Sequence, residues 1–212
     1  MKTQIFNTRT LTPDTIRPFA IALEQGALAV FATDTVYGLG TGALCEAAVR
    51  QIYALKQRPL TQPLQLLAAS EAAAHRWAQF PPGAQSLARA YWPGALTLIL
   101  PPTPAGRPLL RNAQGLGIRV PNDLFLQQLL AAMNQPICAT SANLHGQPVL
   151  TDEQAVVDTF SGRVDYLFVN ATLHPTPSSV VDFTSPQPHL LREGALSKTQ
   201  LEKTSAMTLG AL

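Results

Sequence analysis

The chain has 212 residues, of which 46% are hydrophobic, and a formal net charge of +2. This is enough apolar material to bury a full core without a disulfide or a structural metal, and too little excess charge for the concentrated basic stripe of a nucleic-acid binder. No apolar run reaches membrane-spanning length, and Met1-Lys-Thr-Gln-Ile-Phe6 lacks a signal peptide's apolar stretch and cleavage site, so a cytoplasmic protein is expected.

Thr12-Pro-Asp-Thr15 predicts a helix start, with Thr12 as cap and Pro13 in the first helical position, and Gly26 suits the stop. The apolar run Leu28 to Ala32 predicts a buried strand. Beyond it, Thr33 to Gly40 reads as a polar turn, with Thr33 and Thr35 on one side and glycines 38, 40 and 42 allowing close backbone approach to a ligand. Val49, Ile52, Tyr53 and Lys56 share one face, which predicts a helix from about Glu46 to Lys56, stopped by Pro59. Lys56 and Arg58 then sit at the helix's negative end. Further strands are expected over Leu64 to Ala68, Ala95 to Leu100, Gly117 to Val120, Pro136 to Thr140, Tyr166 to Val169, Ser179 to Phe183 and Leu190 to Arg192. Two helical stretches fit between Ser70 and Tyr91 and a further helix over Asp123 to Met133, while Thr151 and Gln154 suggest a capping box. Pro101 to Pro108 reads as a loop and a candidate lid.

Strands alternating with helices, then crowding toward the C-terminus, indicate a single α/β domain over 1–196 with a mixed, twisted sheet flanked by helices. Residues 197–212 read as a tail, either a peripheral helix or partly disordered.

Gly38-Leu-Gly-Thr-Gly-Ala43 matches a loose dinucleotide fingerprint, but no Asp or Glu lies between Glu46 and Glu71 to hold a ribose. A Walker loop and a Gly-x-Ser-x-Gly elbow are absent as well. Cys45 and Cys138 are far apart, and the histidines at 75, 145, 174 and 189 form no metal-spaced cluster, so no protein-held metal site is expected. What remains is a set of fixed cations and small donors. Lys56 supplies a point charge and Arg58 a bidentate fork, a pair suited to a polyphosphate. Ser141 and Asn143 follow a buried run at alternate positions, where small donors can line a site. Asp182 and Glu193 have no partner in sequence.

In order, Thr33-Asp-Thr-Val-Tyr-Gly-Leu39, Lys56-x-Arg-Pro59, Arg119-x-Pro121, Ser141-x-Asn143, Ser178-x-Val-Val-Asp182 and Arg192-Glu-Gly194 resemble the YrdC family, whose characterised enzymes are threonylcarbamoyl-AMP synthases. The chain is similar to the short form. The resemblance implies a concave α/β fold and a nucleotidyltransferase that makes threonylcarbamoyl-AMP and pyrophosphate from L-threonine, bicarbonate and ATP. It also implies Mg²⁺ arriving with ATP, and a downstream threonylcarbamoyl-transferase machinery that modifies tRNA next to the anticodon. Carried over by residue, Thr35 and Arg119, with Ser179 nearby, look like threonine contacts. Lys56, Arg58, Ser141, Asn143 and Arg192 look like the ATP side, with Lys56 and Arg58 as the catalytic cations. Three positions depart from the family pattern: Leu67 where many members have His, and His145 and Val149 where Ser is usual. A paralogue acting on another carbamate, or a nucleotide- or double-stranded-RNA-binding protein without this activity, are the alternatives.

Overall fold

In the computed structural model, which describes residues 2–111, 113–144, 146–169 and 176–211, short apolar runs become strands and the amphipathic stretches between them become helices. The first half comprises β1 (Gln4–Asn7), α1 (Pro13–Glu24), β2 (Ala29–Phe31), β3 (Gly38–Gly42), α2 (Glu46–Lys56), β4 (Gln65–Leu67), α3 (Glu71–Ala74), α4 (Pro82–Tyr91) and β5 (Leu96–Leu100). The second comprises β6 (Leu116–Arg119), α5 (Leu124–Ala131), β7 (Ile137–Ser141), α6 (Glu153–Phe160), β8 (Tyr166–Val169), β9 (Ser179–Asp182), β10 (His189–Arg192), α7 (Lys198–Ser205) and β11 (Gly210–Ala211). Among the described residues the strands join in one mixed sheet of order β1-β8-β2-β3-β7-β4-β6-β5-β9-β10-β11. The neighbours β4 and β6 run parallel, as do β5 and β9, whereas β5 and β6 are antiparallel.

Successive side chains on a strand face opposite sides, and the two faces of this sheet are covered unequally. On one face Leu66, Leu98, Ile118 and Val181 pack with Leu87 of α4 and Leu201 of α7, while Val30, Leu39 and Leu167 pack with Ile52 of α2 and Phe160 of α6. On the other face Phe31, Leu67, Ile137 and Phe168 lie beneath Leu23 of α1 and Leu126 and Leu129 of α5. These two helices cover the sheet only from β8 across to β4. Over β6, β5 and β9 the same face carries Gly117, Thr97, Ile99, Val180 and Asp182, and these line an open cavity.

Several sequence expectations change here. Thr33 to Gly40 is not all turn, because Gly38 onward forms β3 in antiparallel register with β2 and β7. A Cβ on Gly40 would stand 2.7 Å from Ile137 Cγ2 and 3.0 Å from Phe31 Cζ, and one on Gly42 would stand 2.6 Å from the Leu23 carbonyl oxygen. Those glycines therefore make room for the protein's own core, not for a ligand. The α6 cap is Asp152, which accepts from the Ala155 amide at 2.9 Å; a carboxylate outranks the neighbouring Thr151 because it also favours the positive helix end. The tail contributes α7, whose Leu201 is fully buried, and β11, which pairs with β10.

The Pro101 to Pro108 loop is no lid. The Gln79 amide donates to Pro101 O, Thr103 Oγ1 donates to Arg76 O and the Thr103 amide donates to Trp77 O, and none of its residues lines the cavity. A Cβ on Gly106 would fall 1.9 Å from Trp77 O, a backbone atom that cannot swing aside. Gly106→Ala is therefore expected to cost about 2 kcal/mol or more, measured by urea unfolding; an unchanged midpoint would show that the loop is not anchored.

Candidate active site

The uncovered strands form the floor of a cavity of about 580 Å³. Register places Gly117, Ile99 and Asp182 side by side, and Thr97 beside Val180. Without a side chain at Gly115 or Gly117, the floor stays low between the polar walls.

Arg119, the last residue of β6, is 2% exposed, yet lines this cavity. Its Nε donates to Gly94 O at 2.9 Å, Nη1 to Thr35 Oγ1 at 2.8 Å and Nη2 to Asp34 Oδ1 at 2.5 Å. Thr35 is in turn fixed by Thr33, whose Oγ1 lies 3.0 Å away and donates to Val36 O. Two chain segments, the Asp34-Thr35 turn and Gly94, thus hold one guanidinium plane. By count, one N–H remains on each terminal nitrogen, the fork that matches a carboxylate. Burial lowers the Arg119 pKa, and the Asp34 carboxylate opposes that shift.

Lys56 closes α2 and is as deeply buried, at 2% exposure. Its Nζ donates to Ser141 O, to Asn143 O and to Asn143 Oδ1, the last at 3.0 Å. Those are all the donors an ammonium has. Lys56 is thus a brace beneath the loop after β7 and not part of the cavity wall, which differs from the phosphate contact expected of it. Asn143 is likewise engaged, accepting from Ser141 Oγ at 2.6 Å and donating from Nδ2 to Gln147 O at 2.6 Å. Ser141 itself lines the cavity, as does Arg58, whose guanidinium is steadied by Gln62 O and Pro63 O, each at 3.1 Å. Burial pushes the Lys56 amine down to about 8, and the charge of Arg58 acts in the same direction.

Arg192, at the end of β10, reaches the opposite wall, with Nε on Ser178 O at 2.9 Å and Nη2 on Ser178 Oγ at 3.2 Å. Burial lowers its pKa, and the field of Arg119 lowers it further. Burial is the main cause of these shifts, with the charge of Arg58 adding to it at Lys56 and that of Arg119 at Arg192.

Of the expected residues, Thr35, Arg58, Arg119, Ser141 and Arg192 line the cavity together. Ser179 does not: it shares its sheet face with Leu96, its register partner, and with Val181. Its hydroxyl donates to Leu196 O and accepts from the Gly194 and Leu196 amides. Alternation puts Ser178 at the cavity instead. Leu67 is fully buried under α1 and α5, Val149 lines the cavity at 40% exposure, and His145 lies outside the described residues. Sequence reasoning missed Asp34, although a carboxylate between two threonines beside a future buried arginine was a readable signal.

The Sua5/YciO/YrdC family model, described as telomere recombination, matches residues 21–194. The chain belongs to the Sua5/YciO/YrdC family. The threonylcarbamoyl-AMP synthase of Pyrococcus abyssi is 35% identical over 191 residues, 89% of this chain and 56% of that protein. The one from Bacillus subtilis is 34% identical over 187 residues, 86% of this chain and 54% of that protein. This Sua5/YciO/YrdC chain therefore spans about half the length of these curated relatives. The crystal structure of P. abyssi Sua5 complexed with L-threonine superposes with a TM-score of 0.91 at 33% identity, covering 99% of this chain and 63% of that one.

In this member of the Sua5/YciO/YrdC family, the Asp34 pair is what keeps a buried cation tolerable. Removing one partner of such a pair leaves an uncompensated charge, so Asp34→Ala is expected to lose about 3 kcal/mol of stability. Asp34→Asn, which keeps an acceptor oxygen, should recover part of it. Urea unfolding of both variants checks this; a midpoint for Asp34→Ala equal to the parent's would contradict the pairing.

Proposed function

We propose that this chain makes threonylcarbamoyl-AMP from L-threonine, bicarbonate or CO2, and ATP, releasing pyrophosphate. The observation that carries this is the convergence of Arg58, Arg119 and Arg192, from three separate segments, on one cavity, with Arg119 presenting a carboxylate-shaped fork beside the Thr35 hydroxyl. A relative of the same fold and 33% identity is complexed with L-threonine.

In the reaction, the threonine amine adds to the carbon of CO2 and loses a proton, giving a carbamate. A carbamate oxygen then attacks the α-phosphorus of ATP; the bond to the bridging oxygen breaks and pyrophosphate leaves with its electron pair. Two anions must approach, and Coulomb repulsion is the chief obstacle. Arg119 holds the threonine carboxylate, while Arg58, Arg192 and the Ser141 hydroxyl meet the phosphates. Lys56 acts from beneath: it fixes the 141–143 loop and adds positive potential without solvent reorganisation. No proton-relay dyad is needed for the second step.

Magnesium would come with the nucleotide. Mg²⁺ binds phosphate oxygens and water with few protein groups, so it would be held chiefly by the triphosphate. There it would neutralise phosphate charge. The product, a mixed anhydride, would pass to a threonylcarbamoyl-transferase machinery acting on tRNA. No helix among the described residues is long and apolar enough to cross a membrane.

Leu67 favours a second reading, in which a different amino acid is the acceptor, since it brings no polar group to the threonine end. Pyrophosphate release stimulated most by another amino acid would select that reading. For the first, Arg119→Ala is expected to raise the KM for L-threonine by tenfold or more with a smaller change in the KM for ATP. A change confined to ATP would contradict the assignment.

A further inference from the structure

Asp182 is the one acidic side chain among the described residues that line the cavity. Its place there is set by strand alternation, since Val180 and Asp182 of β9 face the cavity while Ser179 and Val181 face the core. Its rotamer is set as well: Oδ1 accepts from the Thr184 amide and from Thr184 Oγ1, both at 2.8 Å. Two lone-pair positions remain on Oδ2.

A carboxylate in a cavity built for anions has to be kept from the phosphates, and the sheet provides the distance. Ser141 ends β7, and β9 is four positions further along the strand order, about 19 Å at ordinary inter-strand spacing. Arg58 and Ser141 thus mark one end of the cavity and Asp182 with Gln114 and Gly115 the other. Arg192, beside β9, turns its guanidinium to Ser178, four residues back along the strand from Asp182 and about 13 Å away. Resting on the proposed use of ATP, the geometry points to Asp182 as the residue that binds the nucleoside half, accepting hydrogen bonds from the ribose 2′- and 3′-hydroxyls through Oδ2. An acceptor-only group can meet only the donors of the nucleotide, and vicinal hydroxyls offer two on one side. The same site rejects a phosphate placed there by charge repulsion, so Asp182 also fixes which way round ATP lies.

The test compares affinities for ATP, 2′-deoxy-ATP, 3′-deoxy-ATP and inosine triphosphate in the parent, Asp182→Ala and Asp182→Asn, by calorimetry. Asp182→Asn keeps an oxygen for Thr184, so it preserves the turn if the alanine variant does not fold, which thermal unfolding reports. The expected result is that the parent binds each deoxy analogue about tenfold or more weakly than ATP, and that both variants lose this preference while still binding ATP. A parent that binds the deoxy analogues as well as ATP, or variants that keep the preference, would overturn the assignment. So would a loss of discrimination against inosine triphosphate alone, which would place Asp182 at the base. A parent that binds no nucleotide at all would instead overturn the proposed function, an outcome separable from the others.

Discussion

Arg119 is a charged group almost wholly removed from water, and such a charge survives only where oxygen acceptors replace the solvent it has lost. Asp34, Thr35 and Gly94 supply them. Meeting that need ties the turn after β2, the entry to β5 and the end of β6 to a single plane. Lys56 repeats the device on the other side, joining the end of α2 to the loop after β7 through three oxygen acceptors. These two buried cations fix the rims of the cavity through acceptors of the protein's own chain, the kind of preorganisation the proposed reaction would draw on.

The cavity exists because the helices are unequally distributed. One face of the sheet is covered by α2, α4, α6 and α7, the other only partly by α1 and α5. Where a third helix would have packed, the strands carry Gly117, Thr97 and Asp182 in place of the Leu and Phe found under α5. The glycines of β3 belong to the covered part. They let Phe31 and α1 lie close to the sheet, so that the floor over β6, β5 and β9 remains the recess.

Much of this was legible in the chain itself. The α2 periodicity, the Thr12 and Gly26 boundaries of α1 and the apolar runs of β5 and β8 gave element types because their patterns match a single period. That Arg58, Arg119, Ser141, Arg192 and Thr35 would meet at one cavity was readable from their places at strand ends or beyond a helix stop, together with the family resemblance. Ser179 was misread because two consecutive serines leave the phase of alternation open until a neighbouring strand fixes it. The role of Lys56 was hidden for a different reason: its acceptors are mostly backbone oxygens some 85 positions away, and backbone groups leave no mark in a sequence. β1 and β11 were missed because their pairing comes from the sheet edges they meet and not from local propensity.

The most direct measurement is a crystal structure of the protein with L-threonine and a non-hydrolysable ATP analogue. The expected result is the threonine carboxylate on the free N–H groups of Arg119, with the Asp34 pair intact, and phosphate oxygens against Arg58 and Arg192 in the same cavity. Threonine and phosphates bound on separate faces, or Arg119 turned away from both, would contradict it.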